Sequence, residues 1–497
     1  MLKVCDSIIQ TGFIFLIIFT PLAFGAVQPW SIVVMELTVL LMVAAWLLKM
    51  IQRRELRFSK TPLNIPLVLF VVLVLFQMFP LSPSMIQYLS PNTYDLYKMT
   101  LPNYGSDDHP SIANRLAKNN VLQESSFPSS LNSTNDRSLT IYRHATKTEL
   151  LEMLAYSAIF FLIVNNLRTN EQIDRLLKTI IVMGFLLSVF AIVQELSGTD
   201  KIYWFRELTH GGSPFGPYIN RNHFAGYISM VILLALGFLL GLRSKGGRQR
   251  PSGVGHPPLG PELRTDRDSP TGHLLLIFAL AIMIAALFLS LSRGGIVSFL
   301  LGILFLLNFS LFGRKSRKRP YVLVGSVVLS AFLILVHLGI APVIERLSTI
   351  SRLEQEASAT ARTAVWRDTV VAAKDFPLLG TGLGTFQYIF PQYRRHSSDI
   401  RLYFDYAHND YLQLLLETGL VGFILLLGGL TLFLWKSLSR WKQRHDPFVK
   451  GVTMGGLAAI VSILFHSLVD FNLHIPANAL LFSMIIGVTN NVLCSKF

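Results

Sequence analysis

The chain has 497 residues, of which 52% are hydrophobic and only 15% charged, and its mean hydropathy is +0.49. A soluble protein of this size carries about 25% charged residues, so the composition argues against a soluble enzyme. The preferred explanation of the net charge of +15 is therefore contact with a membrane, and no nucleic-acid partner is expected. Cys5 and Cys494 lie at opposite ends of the chain and indicate neither a disulfide framework nor a cysteine metal site.

Apolar runs of about twenty residues recur along the whole chain, which is the pattern of an all-α polytopic membrane protein. The pattern predicts about 12 transmembrane helices, with a large, partly helical loop between the ninth and the tenth. The predicted spans are residues 9–27, 30–50, 62–80, 149–166, 175–196, 219–241, 273–291, 294–312, 321–339, 410–435, 450–470 and 476–494.

Lysine and arginine fall on one side of these spans, which predicts the orientation of the protein. Four basic stretches lie on that side: 49–60, 243–267, 314–319 and 436–450. Basic loops face the cytoplasm, so both termini are expected there, with the two longest polar segments on the outer side.

The chain divides into five regions by composition. Residues 81–148 are rich in Ser, Asn and Pro and are interpreted as an external polar segment, in part disordered. The others are N-terminal transmembrane helices (1–80), a transmembrane core with a disordered cytoplasmic linker at 242–272 (149–339), a large outer loop (340–409) and C-terminal transmembrane helices (410–497).

The outer loop is the most polar long segment of the second half. It predicts an amphipathic helix around 362–376, followed by a turn region at 377–384. Its glycine-rich run, FPLLGTGLGTF, lacks a P-loop lysine and does not follow a strand. The run is therefore interpreted as a turn that packs backbone closely, and no nucleotide cofactor is predicted.

Arg221 and Arg293 lie at the outer ends of predicted spans, on the side that has few cations. A guanidinium at the edge of hydrocarbon is costly without a partner, and its planar fork matches phosphate oxygens. Two such residues on one membrane face could hold a diphosphate whose lipid tail lies among the helices. Ordinary snorkelling at a helix end remains the alternative.

His408 precedes the tenth predicted span and follows an aromatic stretch. A histidine there could accept a proton from a sugar hydroxyl, although His408-Asn409-Asp410 is also a reasonable helix N-cap. Arg362 and Trp366 are one helical turn apart and share a face, which suits contact with sugar or phosphate as well as plain packing.

A second histidine cluster, HSLVDFNLH, contains His466, Asp470 and His474. His466 and Asp470 are four residues apart, so a metal site or a proton relay is conceivable, but a satisfied polar cluster at a helix end is the preferred interpretation. Acidic residues in the outer segments show no metal-ligand spacing, so no metal is predicted.

The order of these motifs resembles the O-antigen ligase and polymerase superfamily. The resemblance rests on INRNH at 219–223, SRGG at 292–295, RTAVW at 362–366, FPLLGTG at 376–382 and HNDYLQ at 408–413, and it extends over about 215–434. It implies a bacterial inner-membrane, metal-independent, inverting glycosyltransferase that needs no cofactor and works at the periplasmic face. In the implied reaction a glycan moves from undecaprenyl diphosphate to an acceptor hydroxyl, on lipid A–core or on another glycan or a protein.

Carried over by position, Arg221 and Arg293 would hold the diphosphate and His408 would be the catalytic base. Arg362, Trp366 and Asn409 are the predicted substrate-binding residues. The resemblance does not separate ligases from polymerases or from protein O-oligosaccharyltransferases. Two other classes stay open on the sequence alone: a flippase for lipid-linked glycans and a scaffold protein of polysaccharide export.

Overall fold

A computed structural model describes residues 1–55, 58–101, 104–105, 136–208, 212–242, 270–310, 318–348, 357–398 and 403–494. Helices are the regular elements in these ranges, where the only β pairing consists of isolated bridges. In chain order they are α1 (Leu2–Leu22), α2 (Pro29–Arg53), α3 (Asn64–Met78), α4 (Pro83–Leu89), α5 (Pro91–Thr100), α6 (Arg143–Asn166), α7 (Asn170–Leu196), α8 (Arg221–Gly241), α9 (Pro270–Leu289), α10 (Arg293–Ser310), α11 (Lys318–Leu338), α12 (Ala341–Ser348), α13 (Ala357–Asp375), α14 (Phe386–Tyr393), α15 (Asp410–Gln443), α16 (Pro447–His466) and α17 (Pro476–Cys494).

Nine of the described helices are long and apolar enough to cross a membrane, and α3, α10 and α11 are shorter apolar helices. Each of the twelve predicted spans coincides with one of these helices, so the all-α polytopic fold class is confirmed. The protein is a multi-pass membrane protein.

The predicted boundaries of the first and tenth spans are wrong. The first helix runs from Leu2 to Leu22 instead of 9–27, because Asp6 pairs with Lys49 of α2 and keeps the polar first turns helical. The chain turns just after the helix, at Gly25, whose φ is 74°. Helix α15 continues eight residues past its predicted end, to Gln443, since a buried Trp441 packs its charged last turns onto the bundle.

Side-chain contacts sort the helix ends onto two faces of the bundle. Lys49, near the end of α2, reaches Asn166 at the end of α6 at 3.1 Å. On the opposite face, Asn222 at the start of α8 meets Ser292 before α10 and Asp470 after α16. We refer to this second face, defined by Asn222, Ser292 and Asp470, as the site face.

Helix α8 lies at the centre of the bundle, and its membrane window is entirely buried. It packs most extensively on α16, and glycine allows the two backbones to touch. A Cβ on Gly237 would lie 2.4 Å from the Gly455 Cα, so no larger residue fits there. Such small-residue contacts are a common basis of helix association in membranes. The close approach fixes the ends of α8 and α16 next to each other on the site face.

The glycine-rich run after α13 packs backbone against backbone, as predicted. Helix α15 is broken at Gly419 (φ 62°, ψ −171°), and the run fits into the break. A Cβ on Gly380, whose own φ is 69°, would lie 2.3 Å from the carbonyl carbon of Glu417. The Glu417 carboxylate accepts hydrogen bonds from the backbone amides of Gly384 (2.8 Å) and Phe386 (3.1 Å). The loop amides therefore bind a carboxylate of this chain.

The outer loop is partly helical, as predicted, and contains α12, α13 and α14. The described part of the external polar segment forms α4 and α5, which the Tyr97 hydroxyl ties to the chain before α6 by donating to Ser138 O (2.9 Å) and Thr140 O (3.0 Å). The disorder predicted for this segment and for the linker at 242–272 concerns residues 106–135 and 243–269, which lie outside the described residues.

Candidate active site

Asp470 is the centre of a polar cluster on the site face, and its side chain is fully buried. It lies in the turn after α16, where its own N–H donates to His466 O at 3.1 Å. Its carboxylate accepts hydrogen bonds from Asn222 Nδ2 (2.5 Å) and from the Phe471 N–H (3.0 Å). The remaining partners are cationic or can become so, and they come from distant parts of the chain.

Two predicted site residues contact this carboxylate directly. His408 Nδ1 lies 3.3 Å from Asp470 Oδ1, and Arg362 Nη2 lies 3.4 Å from Oδ2. Arg362 also donates to Val469 O at 2.9 Å, so the guanidinium spans the turn that carries the aspartate. His223 Nε2 approaches Asp470 Oδ1 at 3.8 Å, which is an electrostatic contact beyond hydrogen-bond distance.

Asp470 is ionised at any pH near neutrality. Burial alone would raise the pKa of its carboxyl group, but the imidazoles of His223 and His408 and the guanidinium of Arg362 outweigh burial and hold that pKa well below its usual range. A fixed negative charge next to His408 Nδ1 favours the tautomer in which Nδ1 carries the proton. The other ring nitrogen, Nε2, is then the one that can accept a proton.

The backbone of His408 is held in the left-handed region, with φ of 52°. Trp366 Nε1 donates to the carbonyls of Ala407 (3.0 Å) and His408 (3.2 Å), which ties this turn to α13. Non-glycine residues in this region are strained and persist only where surrounding contacts hold them. The structure thus gives Trp366 a positioning contact, and its predicted binding of substrate stays a prediction.

Asn409 caps the N-terminus of α15. Its Oδ1 accepts from the N–H groups of Tyr411 (3.0 Å) and Leu412 (3.1 Å), and its Nδ2 donates to Leu468 O (2.9 Å). This is the capping interpretation that the sequence left open. Its other contact fixes the start of α15 against the turn that carries Asp470, and its predicted role in substrate binding stays a prediction.

Arg221 and Arg293 are the first residues of α8 and α10, and both side chains are partly exposed on the site face. Their sequence neighbours touch, because Ser292 Oγ donates to Asn222 Oδ1 at 2.8 Å. The two arginines therefore start from adjacent helix ends, at a network that continues through Asn222 to Asp470.

The tight start of α10 depends on two glycines. A Cβ on Gly295 would lie 2.5 Å from the Ala225 Cβ of α8, and one on Gly294 would lie 3.2 Å from the His466 ring of α16. Only glycine allows α10 to begin this close to both helices. The SRGG motif thus places the Arg293 backbone beside α8 and α16.

Sequence reasoning located four of the clustered residues and missed the one that joins them. The structure brings Arg362, Trp366, His408 and Asn409 together around one turn, with the two arginine helix starts beside it. Asp470 was noted only within its own histidine-rich motif, as a neighbour of His466. The fact that it meets His408, 62 residues earlier, follows from the docking of the start of α15 on the turn after α16, where Asn409 Nδ2 donates to Leu468 O, and no local pattern reports that contact.

The fold and this cluster define a polytopic membrane protein with a histidine–aspartate–arginine site at one face of its helix bundle. Residues 278–427 match the family model described as O-antigen ligase, and this match supports the resemblance to the O-antigen ligase superfamily. No curated protein matches the chain. Of the clustered residues, Arg293, Arg362, Trp366, His408 and Asn409 lie inside the matched region. Arg221 and Asp470 lie outside it.

Proposed function

We propose that this protein transfers a glycan from undecaprenyl diphosphate to an acceptor hydroxyl, in the synthesis of a cell-surface polysaccharide. The observation that carries the proposal is the contact of His408 with the buried, ionised Asp470, beside the two helices that begin with Arg221 and Arg293. The match of residues 278–427 to the O-antigen ligase family model supports a glycosyltransferase-like enzyme with lipid-linked glycan and acceptor partners.

In the proposed reaction the acceptor oxygen attacks the anomeric carbon of the lipid-linked glycan. His408 Nε2 takes the hydroxyl proton as the new C–O bond forms, and Asp470 stabilises the imidazolium that results. The bond between the anomeric carbon and the diphosphate breaks, and its electron pair leaves with the diphosphate. Attack opposite to the leaving group inverts the anomeric centre.

Arg221 and Arg293 would stabilise the charge that develops on the diphosphate. Guanidinium groups match phosphate oxygens in pairs, and fixed charges aimed at a leaving group contribute strongly to catalysis because they need no reorganisation. Their position at the membrane edge suits a donor whose isoprenoid chain stays in the bilayer. The reaction as written requires no metal ion.

The cytoplasmic side is assigned by the basic loops, which are opposite to the site face. Residues 436–450, which include Lys436 and Arg444, cover the end of α15 and the start of α16, on the face opposite to His408. On this basis we propose that both termini are cytoplasmic and that the site lies at the periplasmic face of the inner membrane. Lipid A–core is the proposed acceptor.

The proposal is tested by reconstituting the purified protein with an undecaprenyl-diphosphate oligosaccharide, with and without lipid A–core, beside His408→Ala. Transfer of one glycan to lipid A–core that is lost in the variant would support the ligase function. A ladder of longer lipid-linked chains without that acceptor would indicate a polymerase, and transfer to an added protein would indicate a protein O-oligosaccharyltransferase.

Three results would contradict the proposal. Movement of the lipid-linked glycan across the membrane without any new glycosidic bond would indicate a flippase. Inhibition by a chelator, with recovery on adding a divalent cation, would refute the metal-independent chemistry. An Arg293→Ala protein that inserts normally and transfers glycan at the wild-type rate would refute the role of Arg293 in stabilising the diphosphate.

A further inference from the structure

A cavity lies beside the Asp410 end of α15, on the side away from His408. It has a volume of about 290 Å³, is partly open to the surface, and lies between α3, α6, α15 and α17, which contact one another in a ring. Most of its lining is apolar, including Phe70, Met153, Leu430 and Phe482. An internal cavity of about 150 Å³ with such a lining accepts a benzene ring, so this one has room for about twice that amount of hydrocarbon.

Polar groups line the cavity where it approaches the site face. They are Glu149, Asp410, His474 and Ser467. Ser467 is 1% exposed, and its hydroxyl makes no hydrogen bond with any described residue. A buried hydroxyl without a partner is rare, and it marks a place where another polar group would be stabilised.

A smaller polar chamber adjoins this end and shares Glu149 with the apolar cavity. Its volume is about 210 Å³, and its lining includes Gln387, Tyr406, Gln413 and Glu417. Carboxyl groups, amides and an aromatic ring are the side chains that hydrogen-bond and pack against a sugar. Together the two cavities have the shape of an amphiphile site, with an apolar compartment for a chain and a polar one for its headgroup.

This site is separate from the histidine–aspartate cluster. The ring of Tyr406, which lines the polar chamber, stacks on Phe471 with centroids 4.4 Å apart, and the His408 ring makes an edge contact with Phe471 at 4.8 Å. His408 lines neither cavity. A headgroup in the polar chamber therefore lies behind this aromatic layer.

The lining gives no positive charge to an anionic headgroup. Among the lining residues of both cavities, all of which are described, His474 is the one that can be cationic. Its Nδ1 lies 2.7 Å from Asp410 Oδ1. Burial would lower the pKa of His474, but the bond and charge of Asp410 and the nearby Glu149 and Glu417 raise it to about 9, so its charge is already balanced.

We propose that these two cavities form a second lipid-binding site, which takes a single-chain amphiphile with an uncharged, hydroxylated headgroup such as a sugar. The alkyl chain lies between α3, α6, α15 and α17, and the headgroup hydrogen-bonds to Glu149, Gln413 and Ser467. A phosphate is excluded, because it would be desolvated there without a counter-charge. The proposal does not rest on glycan transfer, since its test measures binding.

The test uses the full protein in phosphatidylcholine nanodiscs and two photoactivatable probes with the same ten-carbon, diazirine-bearing chain. One probe is an alkyl glucoside and the other an alkyl phosphate. The glucoside is expected to label peptides of α6, α15 and α17, and excess unlabelled alkyl glucoside should remove that labelling. The phosphate should label them about tenfold less, which corresponds to about 1.4 kcal/mol of discrimination.

Variants of one helix provide the matched control. Leu430→Trp fills the cavity and should abolish competable labelling, whereas Leu432→Trp, on the outward face of α15, should leave it unchanged. Ala479→Leu fills the same space from α17 with a smaller change, and serves if Leu430→Trp does not insert. Glu149→Gln should lower the ratio of glucoside labelling to phosphate labelling several-fold.

Three results would overturn the proposal: equal labelling by the two headgroups, competable labelling that survives both cavity-filling variants, or labelling confined to the lipid-facing side of α3 and α15. Transfer activity of the same preparation is measured separately. Loss of transfer with intact labelling would therefore count against the proposed function, and the proposed lipid site would remain supported.

Discussion

The substitution Asp470→Asn tests the central contact of the site with the smallest change of shape. An amide presents a donor where one carboxylate oxygen stood, and every neighbour of that carboxylate is itself a donor: Asn222, Phe471, His408 and Arg362. Either orientation of the amide therefore opposes donors, and the charge that fixed the His408 tautomer is lost. General base catalysis contributes about 10²–10⁴-fold, so kcat should fall by that order.

The same change has a stability cost that follows from the bonds it removes. Hydrogen bonds to charged groups contribute about 1.5–3 kcal/mol each, and two of them, from His408 and Arg362, lose their ionic character. Because Arg362 is 28% exposed, the lower figure applies, and the loss is about 3 kcal/mol in all. The thermal unfolding temperature in detergent should fall accordingly.

The assay is single-turnover glycan transfer with the reconstituted protein, at saturating donor. KM for the donor should change little, because Arg221 and Arg293 are untouched. The control is Asp446→Asn at the N-cap of α16 on the opposite face, where Asn caps as well as Asp. Wild-type kcat in a folded Asp470→Asn protein would refute the reasoning, and an equal loss in the control would attribute the effect to general damage.

Four further predictions use the remaining contacts. Arg293→Lys should retain part of the transfer rate that Arg293→Ala loses, since a lysine keeps the charge without the guanidinium fork; equal rates in both variants would contradict the phosphate contact. Trp366→Phe removes two hydrogen bonds to the turn of His408 and should lower kcat without raising donor KM, which steady-state kinetics would separate. The folded pKa of His474, about 9, is above its ordinary value of 6.5, so its stabilisation is complete below about pH 6.5 and is lost as the pH rises to 9. Thermal unfolding should follow that course, and a pH-independent unfolding temperature in this window, matched by His474→Gln, would disprove it. Gly380→Ala should destabilise the protein by several kcal/mol, because its Cβ would meet the backbone of α15; a purified variant that unfolds at the wild-type temperature would contradict that packing.

The fold class could be predicted because hydrophobic runs are local. Each span is long enough to be recognised by itself, and the break at Gly419 and the close packing of Gly380 follow a glycine pattern that is visible in the chain. The error at the first span arose because the charge of Asp6 is neutralised by a distant partner, Lys49. Hydropathy counts such a residue as a stop, although the pair is compatible with a helix.

The candidate site was only partly predictable for the same reason. Arg362, Trp366, His408 and Asn409 lie in one segment, so their motifs could be recognised together. The role of Asp470 depends on the contact between the start of α15 and the turn after α16, and the polar chamber around Glu149 depends on helices more than 200 residues apart in sequence. Neither spacing nor residue type reports a contact of that kind.

The position of Asp470 near the end of the chain affects biosynthesis. Chains emerge and insert from the N-terminus, so the cations that it neutralises, Arg362 above all, are in place before their counter-charge is made. Until α16 and its following turn have crossed, this face carries unpaired positive charge at the edge of the bilayer. A protein truncated before residue 470 should therefore be recognised as incomplete by membrane proteases, even though eleven of its twelve apolar helices are already inserted.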